Sequence, residues 1–183
     1  MIKVPMRILL PIVMLLCMVS SGCQSHKRAA EPPKWPRKVA GASDASIETL
    51  EQQLEKSGVR MISMGQDFLI SIPAPLLFPE QSPRLTWASY GMLNDIACYL
   101  KQFRFVSLYV TGYSSPYMTA KRQNALTRTR ARAVMDYLAS QGVDGRLMVA
   151  RGLGNEKPIT VTNKGGDKSP NARIEITFRR TIV

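Results

Sequence analysis

Between Ile96 and Met135 the chain carries seven basic residues and no acidic one. One of the seven, Arg130, lies on the wrong side of its helix for a charge. The stretch from Thr119 to Ser140 has apolar residues at helical spacing and stops at Gly142, which predicts one long helix. At about 100° per residue, with Leu126 as origin, Tyr137, Ala133 and Val134 fall within about 80° and Arg130 falls among them. Lys121, Arg128 and Arg132 group on the opposite, solvated side. A charge that faces a core costs free energy unless a partner meets it. A guanidinium suits a carboxylate, which it takes through two parallel hydrogen bonds. The alternative is a structural arginine whose stem packs while its head reaches backbone carbonyls. Fifteen residues earlier stands Ser115, closing the run Gly112-Tyr113-Ser114-Ser115, so hydroxyls at a turn are what this region offers beside the arginine. Asp95 and Asp136 border the acid-free window, and Asp136 falls well away from Arg130 around the helix. Nothing inside the window supplies a carboxylate.

Other chemistries find few residues to work with. The single histidine, His26, falls before the folded part, so the domain has neither a serine–histidine pair nor a histidine metal site. Gly152-Leu153-Gly154 suits a turn better than a phosphate loop, because no Lys-Ser/Thr follows. The expectation is a protein that is not an enzyme and takes no cofactor or metal. A formal charge of +12 raises nucleic acid as a partner, but the export segment described next argues against it.

At 183 residues the chain has room for a targeting segment and one domain. Lys3 and Arg7 begin a basic start, and Ile8 to Val19 form an apolar run too short to span a bilayer, which takes about 20 residues. Residues 1–22 therefore read as an export signal. Ser20, Ser21 and Gly22 lead into Cys23, and this junction resembles the lipobox of bacterial lipoproteins, in which the cysteine is acylated, palmitate being the expected chain. Gln24 follows the cysteine in place of the aspartate tied to inner-membrane retention, so outer-membrane lipid is the expected partner of Cys23. Cleavage leaves 23 basic against 13 acidic residues, a charge of +10. Cys17 departs with the signal and Cys23 takes lipid, which leaves Cys98 without a partner for an intramolecular disulfide. Residues 23–43 carry Pro32, Pro33 and Pro36 with five bases against Glu31, a tether that reaches roughly 65 Å fully stretched.

Residues 44–183 read as the folded domain. Ser43 or Asp44 caps a helix with Ile47, Leu50 and Leu54 on one face, ending at Gly58. Val59–Met64 and Phe68–Ile72 form a hairpin about Gly65-Gln66-Asp67, closed by Pro73 and Pro75. A helix over Thr86–Gln102 gathers Met92, Leu93, Ile96, Leu100 and Phe103 in one arc. Arg104–Val110 is apolar on both faces, as in a strand buried between layers. Leu147–Ala150 is a short strand, and Arg173–Arg179 alternates Ile174, Ile176 and Phe178 with polar residues. Helices alternating with strands, plus a hairpin, predict an α/β (α+β) two-layer sandwich with a mixed sheet and two main helices on one face.

Five segments, TLEQQLEKSGVRMISMGQDFLISIPAPLLF, YVTGYSS, NALTRTRARAVMDYLASQGV and the closing GLGNEKPI and NARIEITF, in this order and spacing, resemble the OmpA-like family across about residues 45–179. The resemblance implies a periplasmic domain that binds the diaminopimelate side chain of peptidoglycan without covalent chemistry. In the family pattern an aspartate in a Gly-His-Thr-Asp turn holds the ligand's ammonium, and an arginine fifteen residues later holds its carboxylate. Ser115 stands at the aspartate position and Arg130 at the arginine. Tyr113, Met118 and Ala172 are further departures, while Arg173 keeps the second arginine of the closing motif. The implied site, Ser114, Ser115, Arg130 and Arg173, is thus degenerate, with peptidoglycan binding weak or absent. A small basic lipoprotein of this build also resembles the lipoprotein subunits of Dot/Icm type IVB secretion systems, which implies a structural subunit of a secretion core. The other reading is a free-standing lipoprotein of the Pal kind that links outer membrane to wall. On the helix from Thr86, the face opposite the apolar arc carries Trp87, Gly91, Asn94 and Cys98. With Lys121, Arg128 and Arg132 it forms the expected contact surface for protein subunits.

Overall fold

The hydroxyl of Ser43 accepts from the Ser46 amide at 3.1 Å and opens the first helix, α1 (Asp44–Lys56), which buries Ile47 and Leu54. The computed structural model describes residues 43–116, 119–161 and 165–181. The export segment, Cys23, the tether and Met118 lie outside the described residues. Strands β1 (Arg60–Met64) and β2 (Asp67–Pro73) pair antiparallel with Met64 opposite Asp67. The hairpin loop is therefore two residues, Gly65 and Gln66, and Asp67 belongs to the strand. Gly65 has φ +66°, and a positive φ at the first loop position lets so short a connection follow the strand twist. Asp67 faces Arg179, which donates to both its carboxylate oxygens at 2.7 and 2.8 Å.

Past β2, Pro75 lies in the first turn of a short helix, α2 (Ala74–Leu77), where its missing N–H removes no hydrogen bond. The prolines were expected only to end the strand; they also start this turn. Helix α3 (Ser89–Leu100) begins three residues later than its apolar arc suggested, because Thr86 and Trp87 form a turn whose Thr86 carbonyl accepts from the Ser89 amide and hydroxyl. The α3 residues Leu93, Ile96, Ala97, Tyr99 and Leu100 are buried, whereas Met92 is half-buried. The Tyr99 hydroxyl donates to Glu51 of α1 at 2.7 Å.

Strand β3 (Phe105–Tyr113), helix α4 (Ala120–Ser140) and strand β4 (Met148–Gly152) form a crossover unit, and β5 (Arg173–Arg180) completes the sheet. The order is β1-β2-β5-β3-β4. Among the described strands only the β3–β4 pair is parallel, so the sheet is mixed, as expected. One face buries Phe68, Ile70, Ile72, Leu108, Val110, Ile174, Ile176 and Phe178 beneath the helices. The other face is open: Val106 of β3 is 69% exposed and Val149 of β4 is 44% exposed. The expectation that β3 is buried on both faces is thus corrected. Of its second set of apolar residues Val106 stays exposed and Tyr109 is covered by a long polar side chain instead of a second layer, the Arg151 guanidinium lying 4.2 Å from the ring centre.

Helix α4 sits on the sheet at backbone contact. A methyl group on Gly112 would overlap the Thr127 carbonyl, and one on Gly152 would overlap the Arg128 backbone. These two glycines end the parallel pair β3–β4 and let α4 descend onto it. Gly112→Ala is expected to lower stability by at least about 2 kcal/mol, since two backbones must separate. The check is a lower urea midpoint at unchanged slope.

Candidate functional site

The face that α4 turns to the sheet is Gln123, Thr127, Arg130, Ala131, Val134 and Leu138. Leu126, Ala133 and Tyr137 are only half-buried, so the true stripe is rotated from the one drawn through them. Its first half is polar. The Thr127 hydroxyl donates to the Gln123 carbonyl at 2.9 Å and accepts from the Gly154 amide at 3.2 Å, which ties the loop after β4 to the helix. A stripe assigned from apolar types passes over residues that are buried because their polar atoms are satisfied locally.

Arg130 is 1% exposed and fully engaged. Its Nη1 and Nη2 donate to the two carboxylate oxygens of Asp167, each at 2.7 Å. Nε donates to the Ser82 carbonyl at 2.8 Å and Nη2 also reaches the Pro79 carbonyl at 3.4 Å. The guanidinium lies 4.9 Å from the centre of the Phe78 ring. Asp167 accepts in addition from the Gln81 amide at 2.6 Å, and Gln81 adopts φ +54° to present it, a conformation that costs a side-chain-bearing residue about 1 kcal/mol or more. Burial pushes the Asp167 carboxyl up, but the hydrogen bonds from Arg130 and Gln81 together hold it below the usual carboxylate range.

The structure thus places Arg130 as a structural arginine, the second of the two readings, with a carboxylate of the chain itself joining the backbone carbonyls. The carboxylate comes from a 3-10 turn, Gly166–Lys168, 37 residues beyond the arginine and outside the acid-free window where a partner was sought. Asp167 is the site residue that the sequence reading missed. A signal was present, because a buried arginine calls for a buried acid, and Asp167 is the one acid between Glu156 and Glu175.

Arg173 is likewise occupied. At the start of β5 it is buried, donating from Nε to Glu175 at 2.7 Å and from Nη1 and Nη2 to the carbonyls of Asn171 and Lys157, each at 3.1 Å. It stacks on Tyr113, 4.1 Å from the ring centre. Tyr113 pairs with Arg173 across β3 and β5, so the strand end that carries Ser114 and Ser115 adjoins this arginine. Ser114 and Ser115 are buried, and neither hydroxyl has a hydrogen-bond partner among the described residues. The Ser114 amide donates to the Gly154 carbonyl at 2.7 Å.

The expected contact surface separates into two. On the α3 flank, Trp87 is 87% exposed and packs edge-on to Tyr90 at 5.4 Å, which stacks on Tyr137 at 5.0 Å. Tyr137 donates to Asn94 at 2.8 Å, and Cys98 is an exposed free thiol. On α4, Lys121, Arg128 and Arg132 are exposed. Arg128 and Arg132 border a groove toward β4, and Arg132 pairs with Asp136 one turn on.

Comparison with known proteins locates this architecture. The model of a family described as the OmpA family matches residues 77–172. The chain is 28% identical over 135 residues to the probable lipoprotein YiaD of Escherichia coli strain K12, covering 74% of this chain and 62% of that protein, less than two thirds of its length. It is 27% identical over 117 residues to the peptidoglycan-associated lipoprotein of Brucella melitensis, covering 64% of this chain and 70% of the relative. Among solved structures, the cell wall anchor of the T6SS from Pseudomonas aeruginosa superposes with TM-score 0.64 at 24% identity, over 74% of this chain and 97% of that one. The periplasmic domain of Helicobacter pylori MotB gives 0.60 at 23% identity, over 67% of this chain and 80% of its own. The two superpositions speak for the fold.

Proposed function

Because the chain belongs to the OmpA family, we propose that it is an envelope anchor whose inherited peptidoglycan site has lost its grip on ligand. In this reading Cys23 carries lipid in the outer membrane and residues 23–43 link it to the domain. The domain stands in the periplasm as a structural subunit of an envelope-spanning complex, the core of a type IV secretion system. The observation that carries it is the closed fork of Arg130. Recognition of zwitterionic diaminopimelate wants one fixed anion and one free guanidinium. Here Ser115 stands where the family pattern has the anion, and the guanidinium already holds Asp167. Loss of one member of such a pair costs on the order of 2–5 kcal/mol, roughly thirty-fold to several thousand-fold in affinity.

The test is a calorimetric titration of the protein with purified diaminopimelate-containing muropeptide. Binding weaker than about 1 mM, a free energy of only about −4 kcal/mol, is the expected result, together with co-purification in a large detergent-stable assembly. Micromolar binding by a protein that runs alone would overturn it. That outcome would establish the second reading, a free-standing linker between outer membrane and wall, which the unpartnered Ser114 and Ser115 hydroxyls and the Brucella relative favour.

A further inference from the structure

Among the described residues strand β4 ends the sheet and is bonded to β3 alone, so along its outer side every second residue points an amide and a carbonyl away from the sheet. Beside it runs a groove of about 450 Å³ lined by Arg128, Arg132 and Met135 of α4 and by Met148, Val149 and Ala150 of the strand, Met148 facing the helix and Val149 the open side of the sheet. Arg128 has no partner among the described residues, and Asp136 is the one acid of α4. We infer that this groove takes an extended acidic segment of a partner protein, added to β4 as a sixth strand.

Three features of the groove fit that occupant. Arg128, and Arg132 with its exposed and therefore weak pairing to Asp136, stand on the helix side of the edge and Val149 on the open side, which suits a chain that alternates acidic and apolar side chains. Arg128 and Arg132 are one helical turn apart, about 6 Å along the axis. Alternate residues of a strand are about 6.6 Å apart, so two acids on one side of an added strand match the two arginines. Main-chain hydrogen bonds to β4 would then supply affinity while the arginines select charge and register, the division of labour in strand addition. The opposite end of the sheet lacks these features: the cavity near β1 is about 40 Å³ and has Glu51 in its wall. The inference stands apart from the muropeptide reading, since neither arginine belongs to the Arg130 site.

A labelled hexapeptide alternating glutamate and valine, titrated into the full chain by fluorescence anisotropy, tests it. Two further peptides carry N-methyl groups on one or the other set of alternate residues. Saturable binding is expected, lost by at least tenfold in one N-methylated peptide and retained in the other. A loss of at least tenfold is also expected in Arg128→Glu, with slowed amide exchange in β4 when the parent peptide is bound. Equal binding by both N-methylated peptides, or equally tight binding of inorganic polyphosphate, would reduce the groove to a polyanion patch and overturn the inference. Absence of saturable binding to a chain whose circular dichroism is that of the folded protein would overturn it as well.

Discussion

Arg130→Met is expected to destabilise the domain by about 3–5 kcal/mol, because it leaves the Asp167 carboxylate buried with one backbone amide as its remaining donor. That is a large part of the roughly 5–15 kcal/mol that holds a typical domain together. The double variant Arg130→Met, Asp167→Leu should recover most of the loss, since an apolar pair of similar volume needs no desolvation of charge. A double-mutant cycle in urea measures this, and equal destabilisation by the single and double variants would mean that the pair is not what holds the Asp167 turn in place. Acidity reports the same contact. The folded Asp167 carboxyl titrates below its ordinary value, so its contribution is complete above about pH 4, the unfolded value, and is lost as pH falls through the lower folded one. In the double variant, stability should fall less steeply between about pH 4 and pH 2 than in the natural protein.

The elements with a strong repeat were legible in the sequence. Ile174, Ile176 and Phe178 alternate along β5 and are buried together, and α4 ends within a residue of where Gly142 said it would. The hairpin showed through Gly65. What stayed hidden depended on partners distant in the chain. Arg104 to Val110 read as buried on both faces because apolar type does not say whether a second layer or an arginine covers a ring, and Arg151 covers Tyr109. The rotation of the α4 stripe was hidden because Gln123 and Thr127 are polar yet buried. Asp167 was hidden by separation: a turn between two strands can bring any of its residues under a helix 37 positions earlier, and helical periodicity carries no information about that.

The larger functional effect is expected when the site is rebuilt at two positions together. Ser115→Asp alone should gain little muropeptide affinity, because Arg130 remains gripped by Asp167 and a new carboxylate at a position 1% exposed is buried without a cation to meet it. Asp167→Ala alone should destabilise the protein by about 3–5 kcal/mol, leaving an uncompensated buried cation, and should make its melting temperature rise with any carboxylate that enters the fork. Acetate and meso-diaminopimelate should act alike there, since only the carboxylate is read. With Ser115→Asp and Asp167→Ala combined, the ammonium regains an anion and the carboxylate regains a free guanidinium. Diaminopimelate-containing muropeptide should then bind at least thirty-fold more tightly than to the natural protein, the low end of about 2–5 kcal/mol for restoring a charge-assisted pair. A ligand at one hundred times its dissociation constant adds about 2.7 kcal/mol of stability, so thermal shift detects the gain as well as calorimetry. If acetate stabilises the double variant as much as the muropeptide does, the anion at position 115 does not reach the ammonium. The end of β3 would then have diverged from a ligand-binding geometry beyond the loss of one carboxylate, and the closed Arg130–Asp167 pair would be a replacement for the site.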